Sequence, residues 1–109
     1  PIIFAGQNNL LDKLSYRCSQ PLASRIVARS HLQGTDLGGM QDYLKHHLAI
    51  AGVKQNLFDQ TAITAIQQGS GGLFRKANHL ARGALIAACH QQSMNVTAEH
   101  VRLAATEIF

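Results

Sequence analysis

The sequence is poor in the residues from which stacking platforms, metal sites and disulfide frameworks are built. Its 109 residues include no tryptophan, and aromatic residues make up only 6%, too few for a platform that stacks nucleic-acid bases. Cys18 and Cys89 lie far apart and neither belongs to a C-x-x-C pair, so neither a zinc knuckle nor a dithiol redox motif is indicated. The adjacent His46 and His47 belong to no H-E-x-x-H motif, so we predict surface or packing roles for them and no metal site.

Long apolar runs and charge are also scarce. No run approaches the roughly 20 residues of a membrane span, and no basic leader precedes an apolar stretch and a cleavage site. We therefore expect a soluble, cytoplasmic chain without membrane contact. With 46% hydrophobic and 15% charged residues, the composition is that of a globular chain and not of a disordered one.

The charge that is present is mildly basic. Ten lysines and arginines against six acidic residues give a net charge of +4 and a sequence pI of about 9.5. The positive residues are spread along the chain and form no block. This balance permits a nucleic-acid or phosphate partner without requiring one.

Two segments near the start of the chain are typical of β-strands. Residues 1–7, PIIFAGQ, form an apolar run like that of a strand buried on both faces. Its last residue, Gln7, is either a ligand-facing side chain at the end of that strand or a simple strand terminator. Residues 25–32, RIVARSHL, show strand-like alternation. Two short strands do not make a stable sheet, so we expect the C-terminal part of a longer polypeptide whose other strands precede residue 1.

The rest of the sequence has the three- and four-residue apolar spacing of amphipathic helices. A short helix over residues 9–16 is predicted between the two strands. Because Ile86 and Cys89 lie outside the main apolar stripe of the helix predicted over residues 72–91, we expect that helix to be central and touched on more than one side. Four helices are expected after the second strand: from Leu37 with Thr35 or Asp36 as cap and Gly52 as stop, between Asp59 and Gly69, over residues 72–91, and from Thr97 to Ile108.

Arg75, in the stretch GSGGLFRKAN, does not fit the apolar pattern around it. At 100° per residue it points roughly 160° away from Leu73 and Ala77. Gly71 and Gly72 would let the backbone approach a ligand closely, and the helix N-terminus behind them carries a partial positive charge suited to a phosphate. An ordinary exposed arginine after a glycine-rich loop explains the same residues.

Six separated segments carry a family resemblance: PIIFAGQ, LLDKL, QPLASRIVAR, DYLKHHLAIAG, LFDQTAITAI and GSGGLFRKANHLARGALIAA. In this order they resemble the C-terminal half of AAA+ ATPases of the ExeA type, the general secretion pathway protein A family and its relatives encoded beside transposases. The resemblance covers essentially the whole chain. The sequence contains no G-x-x-x-x-G-K-[ST] loop and no acidic strand end for magnesium, so the resemblance implies that both lie upstream.

The resemblance implies roles for two residues in the first third of the chain. Gln7 matches the sensor 1 polar residue, which orients the attacking water near the γ-phosphate. Arg25 lies in the segment that supplies the arginine finger to the neighbouring subunit, and Arg29 is the alternative if the register differs. A guanidinium suits that role because it is permanently charged and offers a fork of donors to phosphate oxygens.

The resemblance also implies a role for the unexplained arginine. Arg75 matches the sensor 2 arginine at the base of the lid, and Gly71 and Gly72 would lie beside the nucleotide with it. The family usually has proline just before this arginine and asparagine three residues after it. Here Asn78 is kept and Phe74 replaces the proline, so the start of the helix departs from the family pattern.

Together, the residues and the resemblance predict a mainly α chain. Residues 1–34 would be a remnant of an αβα ATPase core with one or two strands, and residues 35–109 a four-helix AAA+ lid. The expected full-length protein is a homo-oligomeric ATPase that uses ATP and magnesium, either as a transposition helper or in a secretion pathway. Its partners would be DNA, a transposase or secretion machinery.

The isolated chain is expected to be inactive and to hold no cofactor. The alternative is a helical module that binds DNA or docks a partner without nucleotide chemistry.

Overall fold

The structure is a computed structural model that describes residues 1–108, apart from the side chain of Ile108. Phe109, the last residue of the predicted lid, and the side chain of Ile108, where the last predicted helix ends, therefore lie outside the described residues. The chain divides into two compact units, Pro1–Leu32 and Gln33–Phe109. The helices, in order, are α1 (Asn9–Leu14), a 3-10 turn (Arg17–Ser19), α2 (Gln20–Ala23), α3 (Leu37–Ile50), α4 (Gln60–Ser70), α5 (Phe74–His90) and α6 (Ala98–Ile108).

Neither of the two predicted strands forms. Residues 1–7 and 25–32 have no regular secondary structure, and Ile2 and Ile3 are 81% and 91% exposed. A strand is stable only where its backbone groups pair with a neighbouring strand and its apolar side chains are covered. Residues 1–108 provide no sheet that could do either, so the expected core remnant with one or two strands is corrected to a unit whose only regular elements are helical.

The predicted helix between those segments does form, but it is shorter. α1 ends at Leu14, because the Ser15 hydroxyl donates to the Asp12 carbonyl at 2.6 Å and the chain turns away into the 3-10 turn. Leu10 and Leu14 are half-buried while Leu11 is exposed. The first unit therefore has no fully buried residue in α1 or α2.

Two aspartates cap the first two helices of the second unit. Asp36 Oδ1 accepts a hydrogen bond from Gly39 N at 2.8 Å, and Asp59 Oδ1 accepts one from Ala62 N at 2.8 Å. Each satisfies an N–H group that a first helical turn leaves unpaired, an interaction worth about 1 kcal/mol. Of the two predicted caps for α3, Asp36 is the one observed, and Thr35 precedes it.

The core of the second unit lies between its four helices. α4, α5 and α6 pack against one another, and α3 packs on α4. The segments before α4 and α6 are joined by an isolated parallel bridge, in which Asp59 N donates to Val96 O at 3.1 Å and Val96 N donates to Leu57 O at 2.8 Å. The buried apolar cluster consists of Met40, Leu44, Phe58, Ala62, Ile63, Ile66, Ala77, Leu80, Ala81, Ala84, Ala88, Val96 and Val101.

The turn between α4 and α5 differs from the prediction at both ends. α4 continues past Gly69 to Ser70, because the residue that adopts the left-handed conformation and ends the helix is Gly71, at φ +62°. α5 begins at Phe74, two residues after the predicted start, because Gly72 also has a positive φ of +78° and cannot continue a right-handed helix.

α5 is not covered all round. It packs against both α4 and α6, as expected of a helix touched on more than one side, but Ile86 is 51% exposed and Cys89 is exposed, so the face that carries them is not covered. Apolar character on a second face does not bury that face unless another element packs on it. Within the described residues, the buried positions of α5 are Ala77, Leu80, Ala81, Ala84 and Ala88. No helix of this described region is long and apolar enough to cross a lipid bilayer.

A buried histidine fastens the start of α6. His100 is only 4% exposed, its Nδ1 accepts from Thr97 N at 3.0 Å, and its Nε2 lies 2.8 Å from Gln91 Oε1. An Nδ1 that accepts requires the hydrogen to be on Nε2, which then donates to the Gln91 amide oxygen. This side chain therefore joins the first turn of α6 to the end of α5.

Candidate functional site

The first turn of α5 carries the arginine singled out by the sequence. Arg75 is the second residue of the helix, after Phe74. Leu73 is the N-cap, with extended backbone and no side-chain cap hydrogen bond. The first-turn N–H groups consequently keep their partial positive charge, and Arg75 adds a full charge at the same helix end. Such an end suits an anion with several acceptor oxygens.

The Arg75 side chain is exposed and makes no hydrogen bond or ion pair within residues 1–108. Ala77, two positions along the helix, is completely buried, which agrees with the prediction that Arg75 points away from the core. Leu73 is itself 51% exposed and takes no part in that core. The guanidinium therefore has all its donors available to a ligand.

The two glycines before this turn make a close approach, and they make it to the chain itself. Thr35 N donates to Gly72 O at 2.9 Å, and Gln67 Nε2 donates to Thr35 O at 3.3 Å. A Cβ at Gly72 would lie 2.3 Å from Thr35 O, and one at Gly34 would lie 2.0 Å from Gly71 O. Contact with residues 34–35 thus accounts for the absence of a side chain at Gly72, whereas Gly71 has nothing within 4 Å of its Cβ position and is favoured by its φ of +62°. A role of Gly71 and Gly72 toward a nucleotide remains a prediction.

An aromatic pair that the sequence analysis missed supports the same turn. The rings of Phe74 and Tyr43 stack with centroids 4.5 Å apart at an interplanar angle of 26°. Tyr43 Oη donates to Asn78 Oδ1 at 3.4 Å, so α3 holds both the residue before Arg75 and the residue three positions after it. Tyr43 also contacts His47 one turn along α3, with ring centroids 4.4 Å apart, but no local pattern indicates its stack on Phe74.

The other two predicted site residues lie in the first unit. Gln7 is exposed, and its backbone carbonyl accepts from Leu10 N at 2.9 Å where α1 begins. Arg25 is exposed, and its Nη1 donates to Pro21 O at 3.3 Å, four residues earlier. Arg29 is exposed in the irregular segment that follows. Gly71, Gly72 and Arg75, by contrast, share one turn of the second unit.

Histidines and acidic residues give no metal site in the part of the chain that the structure describes. No group of three or more His, Cys, Asp or Glu side chains there is placed to hold an ion. His46 and His47 have ring centroids 5.6 Å apart and are both exposed. On α6, the hydrogen bond from Arg102 lowers the pKa of Glu99 and raises that of Arg102, but both side chains are largely exposed and far from forming an ion-binding cluster.

Comparison with known proteins gives one informative similarity. No protein-family model matches the chain, and no solved structure matches it. Over 107 residues, 98% of the chain, it is 32% identical to general secretion pathway protein A of Aeromonas hydrophila. The matched region is 20% of that protein, so the chain spans about a fifth of the length of this relative. The chain is thus similar to one region of general secretion pathway protein A, and that region is a fraction of the whole protein.

Proposed function

We propose that the chain forms the sensor region and helical lid of an AAA+ ATPase, and that Arg75 contacts the phosphate groups of the nucleotide in its own subunit. The observation that carries this proposal is the exposed, unpartnered Arg75 guanidinium at the uncapped start of α5. The partial positive charge of the helix N-terminus and the permanently charged guanidinium, with its several donors, lie at the same place. A nucleotide phosphate offers acceptor oxygens to both. Relatedness to the general secretion pathway protein A family supports the same function.

The packing of α5 gives Arg75 a way to report on the nucleotide. Arg75 lies at the end of a 17-residue helix whose inner face, including Ala77 and Leu80, is sealed in the core of the second unit. Packed interiors do not deform continuously. Attraction of the guanidinium to a phosphate would therefore displace α5 together with the helices packed on it. Loss of the γ-phosphate charge after hydrolysis would weaken this attraction and let the lid move.

Gln7 and Arg25 supply the remaining parts of this proposal. Gln7 would orient the attacking water, and Arg25 would reach the nucleotide of a neighbouring subunit in a homo-oligomer. Arg25 now donates to a backbone carbonyl at 3.3 Å, a long bond that a phosphate would replace with shorter, charge-assisted ones. Magnesium is assigned to no residue of this chain, because the described residues hold no cluster of ligands for it.

The pathway that we propose is taken from the name of the relative. That name supports a role in a secretion pathway. We propose that the full-length protein fills that role as a cytoplasmic ATPase, and a transposition helper is the second role that we propose to test. The 109 residues contain no phosphate-binding loop, so the chain by itself should hydrolyse no ATP. Measurable turnover by residues 1–109 alone would contradict the proposal.

The experiment for the inter-subunit role compares Arg25→Ala with Arg29→Ala in the full-length protein. ATP turnover is measured as the protein concentration rises through the range in which the subunits assemble. Arg25→Ala should keep wild-type nucleotide affinity and lose stimulation on assembly by a factor of roughly 10³, while Arg29→Ala keeps it. Loss of stimulation in Arg29→Ala alone would move the finger to that residue, and unchanged stimulation in both would exclude this segment.

A further inference from the structure

A pocket separate from the start of α5 lies on the other side of α3 from Tyr43. It has a volume of about 330 Å³ and is lined by α3 from Gln41 onward, the loop that leads to α4, and one residue of α4. Its volume is at the lower end of the range for ligand pockets, roughly 300–1,000 Å³. None of the residues predicted to touch a nucleotide lines it. The lining residues are Gln41, Leu44, Lys45, Leu48, Ala49, Val53, Lys54, Gln55, Asn56, Phe58 and Ile63.

The floor of the pocket is apolar and fixed in place. Leu44, Phe58 and Ile63 belong to the buried core, and Leu48 packs against that core while half-buried. Val53 N donates to Leu48 O at 2.9 Å, which ties the loop to the last turn of α3. The pocket is therefore formed before any partner arrives, so little ordering opposes binding.

The rim of the pocket is polar and carries charge of one sign. Lys45 and Lys54 are exposed, and neither ammonium group has a hydrogen-bond or ion-pair partner within residues 1–108. No aspartate or glutamate lines the pocket. The carboxylate of Asp59, next to Phe58 in sequence, is engaged by Ala62 N at 2.8 Å and by the Thr61 hydroxyl at 2.6 Å. Neither lysine forms an ion pair with Asp59 or with any other carboxylate of the described residues.

We propose that this pocket docks an acidic peptide segment of a partner protein, which inserts one large apolar side chain between α3 and the loop. An apolar centre surrounded by exposed polar groups is the anatomy of a protein interface, in which a buried anchor residue supplies most of the affinity. Carboxylates on either side of the anchor would pair with Lys45 and Lys54. The exposed amides of Gln41, Gln55 and Asn56 would bond the peptide backbone.

The charge distribution favours an acidic peptide over nucleic acid or a neutral ligand. Two unpaired lysines repel a basic segment. A sugar-phosphate backbone has no apolar group that could occupy the apolar floor. The pocket is open to solvent and would enclose a free small molecule on one side only. A side chain that projects from a peptide fits such a pocket, because the rest of the peptide stays outside it. The site thus gives this chain a second interaction surface, distinct from the start of α5.

The test is a titration of the isotopically labelled chain with a synthetic nonapeptide, followed by amide chemical shifts. The peptide has one central phenylalanine, two glutamates on each side of it and glycine elsewhere. Matched peptides replace glutamate by lysine, or phenylalanine by alanine. We expect shifts confined to residues 41–58 and Ile63, weakened by about fivefold or more with the lysine peptide at low salt and abolished with the alanine peptide.

Variants of the chain test whether the peptide binds at this pocket. Lys45→Glu and Lys54→Glu should each weaken binding about two- to fivefold, and Arg82→Glu, an exposed charge reversal on α5, should not change it. Ala49→Trp replaces an exposed rim residue by a bulky one and should block the pocket without disturbing the core. The fold of each variant is checked by its amide spectrum without peptide.

Three results would overturn the proposal: equal binding of the acidic and basic peptides, shifts that map outside the pocket, or octanoate filling the pocket while the peptide does not bind. Arg75→Ala should leave peptide binding unchanged. A failure of the nucleotide function and a failure of this docking site are therefore separately visible.

Discussion

Thr35 and Gly72 are locked together by their backbones. Thr35 N donates to Gly72 O at 2.9 Å, and the space where a Gly72 side chain would begin is filled by Thr35, whose carbonyl oxygen lies 2.3 Å from the Cβ position. This contact ties the entry to α3 to the turn that starts α5. The start of the second unit's sequence therefore holds in place the N-terminus of α5, which carries Arg75.

Replacing Gly72 by alanine should destabilise the chain strongly. The substitution places a Cβ at a φ of +78° and drives it into backbone atoms that have no side-chain freedom to move aside. Gly52→Ala is the matched control, because Gly52 has a φ of +88° and nothing within 4 Å of its Cβ position. Gly52→Ala should cost about 1 kcal/mol in the free energy of unfolding, and Gly72→Ala at least about 2 kcal/mol more, measured by urea denaturation. Equal costs would mean that the Thr35 contact does not form.

His100 should be a stabilising residue and not a surface histidine. His100→Ala leaves the Thr97 N–H and the Gln91 amide without their partner and opens a space in a buried position, so unfolding should become easier by about 2 kcal/mol. His79→Ala, at an exposed position of α5, should change stability by less than about 0.5 kcal/mol. The two melting curves coinciding would contradict this role.

Proline at position 74 should be accepted by the backbone. Phe74 is the first residue of α5, where proline is favoured, and Leu73 has φ −86° and ψ 126°, a conformation compatible with a following proline. Both Phe74→Pro and Phe74→Ala lose the ring contact with Tyr43, but proline also restricts the unfolded chain. Phe74→Pro should therefore be more stable than Phe74→Ala by about 0.5 kcal/mol.

Arg82→Pro is the control for that prediction. Position 82 is exposed in the interior of the same helix, where proline removes a hydrogen bond and should cost about 3 kcal/mol or more. Denaturation of the three variants under one set of conditions gives the order. If Phe74→Pro unfolds as readily as Arg82→Pro, α5 does not begin at Phe74.

Sequence reasoning succeeded where the signal is local. A cap and an apolar spacing are recognised within a few residues, which is why Asp59 as a cap, the pair Thr35 or Asp36, and the existence of α3 to α6 could be predicted. Residues 1–7 show the opposite case. Their apolar run predicts a strand, but a strand depends on a partner strand elsewhere, and local sequence carries no information on whether that partner is present.

The candidate site divides in the same way. Exposure of Arg75 followed from its angle relative to Ala77 on a helix, a purely local argument. The stack of Phe74 on Tyr43 and the close approach of Gly72 to Thr35 join residues more than 30 positions apart. Such contacts follow from how α3, α4 and α5 pack, which short motifs do not encode, so the contact of Gly72 with Thr35 could not be predicted from the glycine-rich stretch.

The most direct measurement is the affinity of the full-length protein for a fluorescent ATP analogue, with Arg75→Ala compared with Arg82→Ala. Arg82 lies two turns along the same face of α5 and removes the same charge, away from the helix N-terminus. Arg75→Ala should weaken nucleotide binding roughly tenfold or more, since it removes charge-assisted hydrogen bonds to phosphate, and Arg82→Ala should leave it unchanged. Equal, undiminished affinity and turnover in both variants would contradict the assignment of Arg75 to the nucleotide.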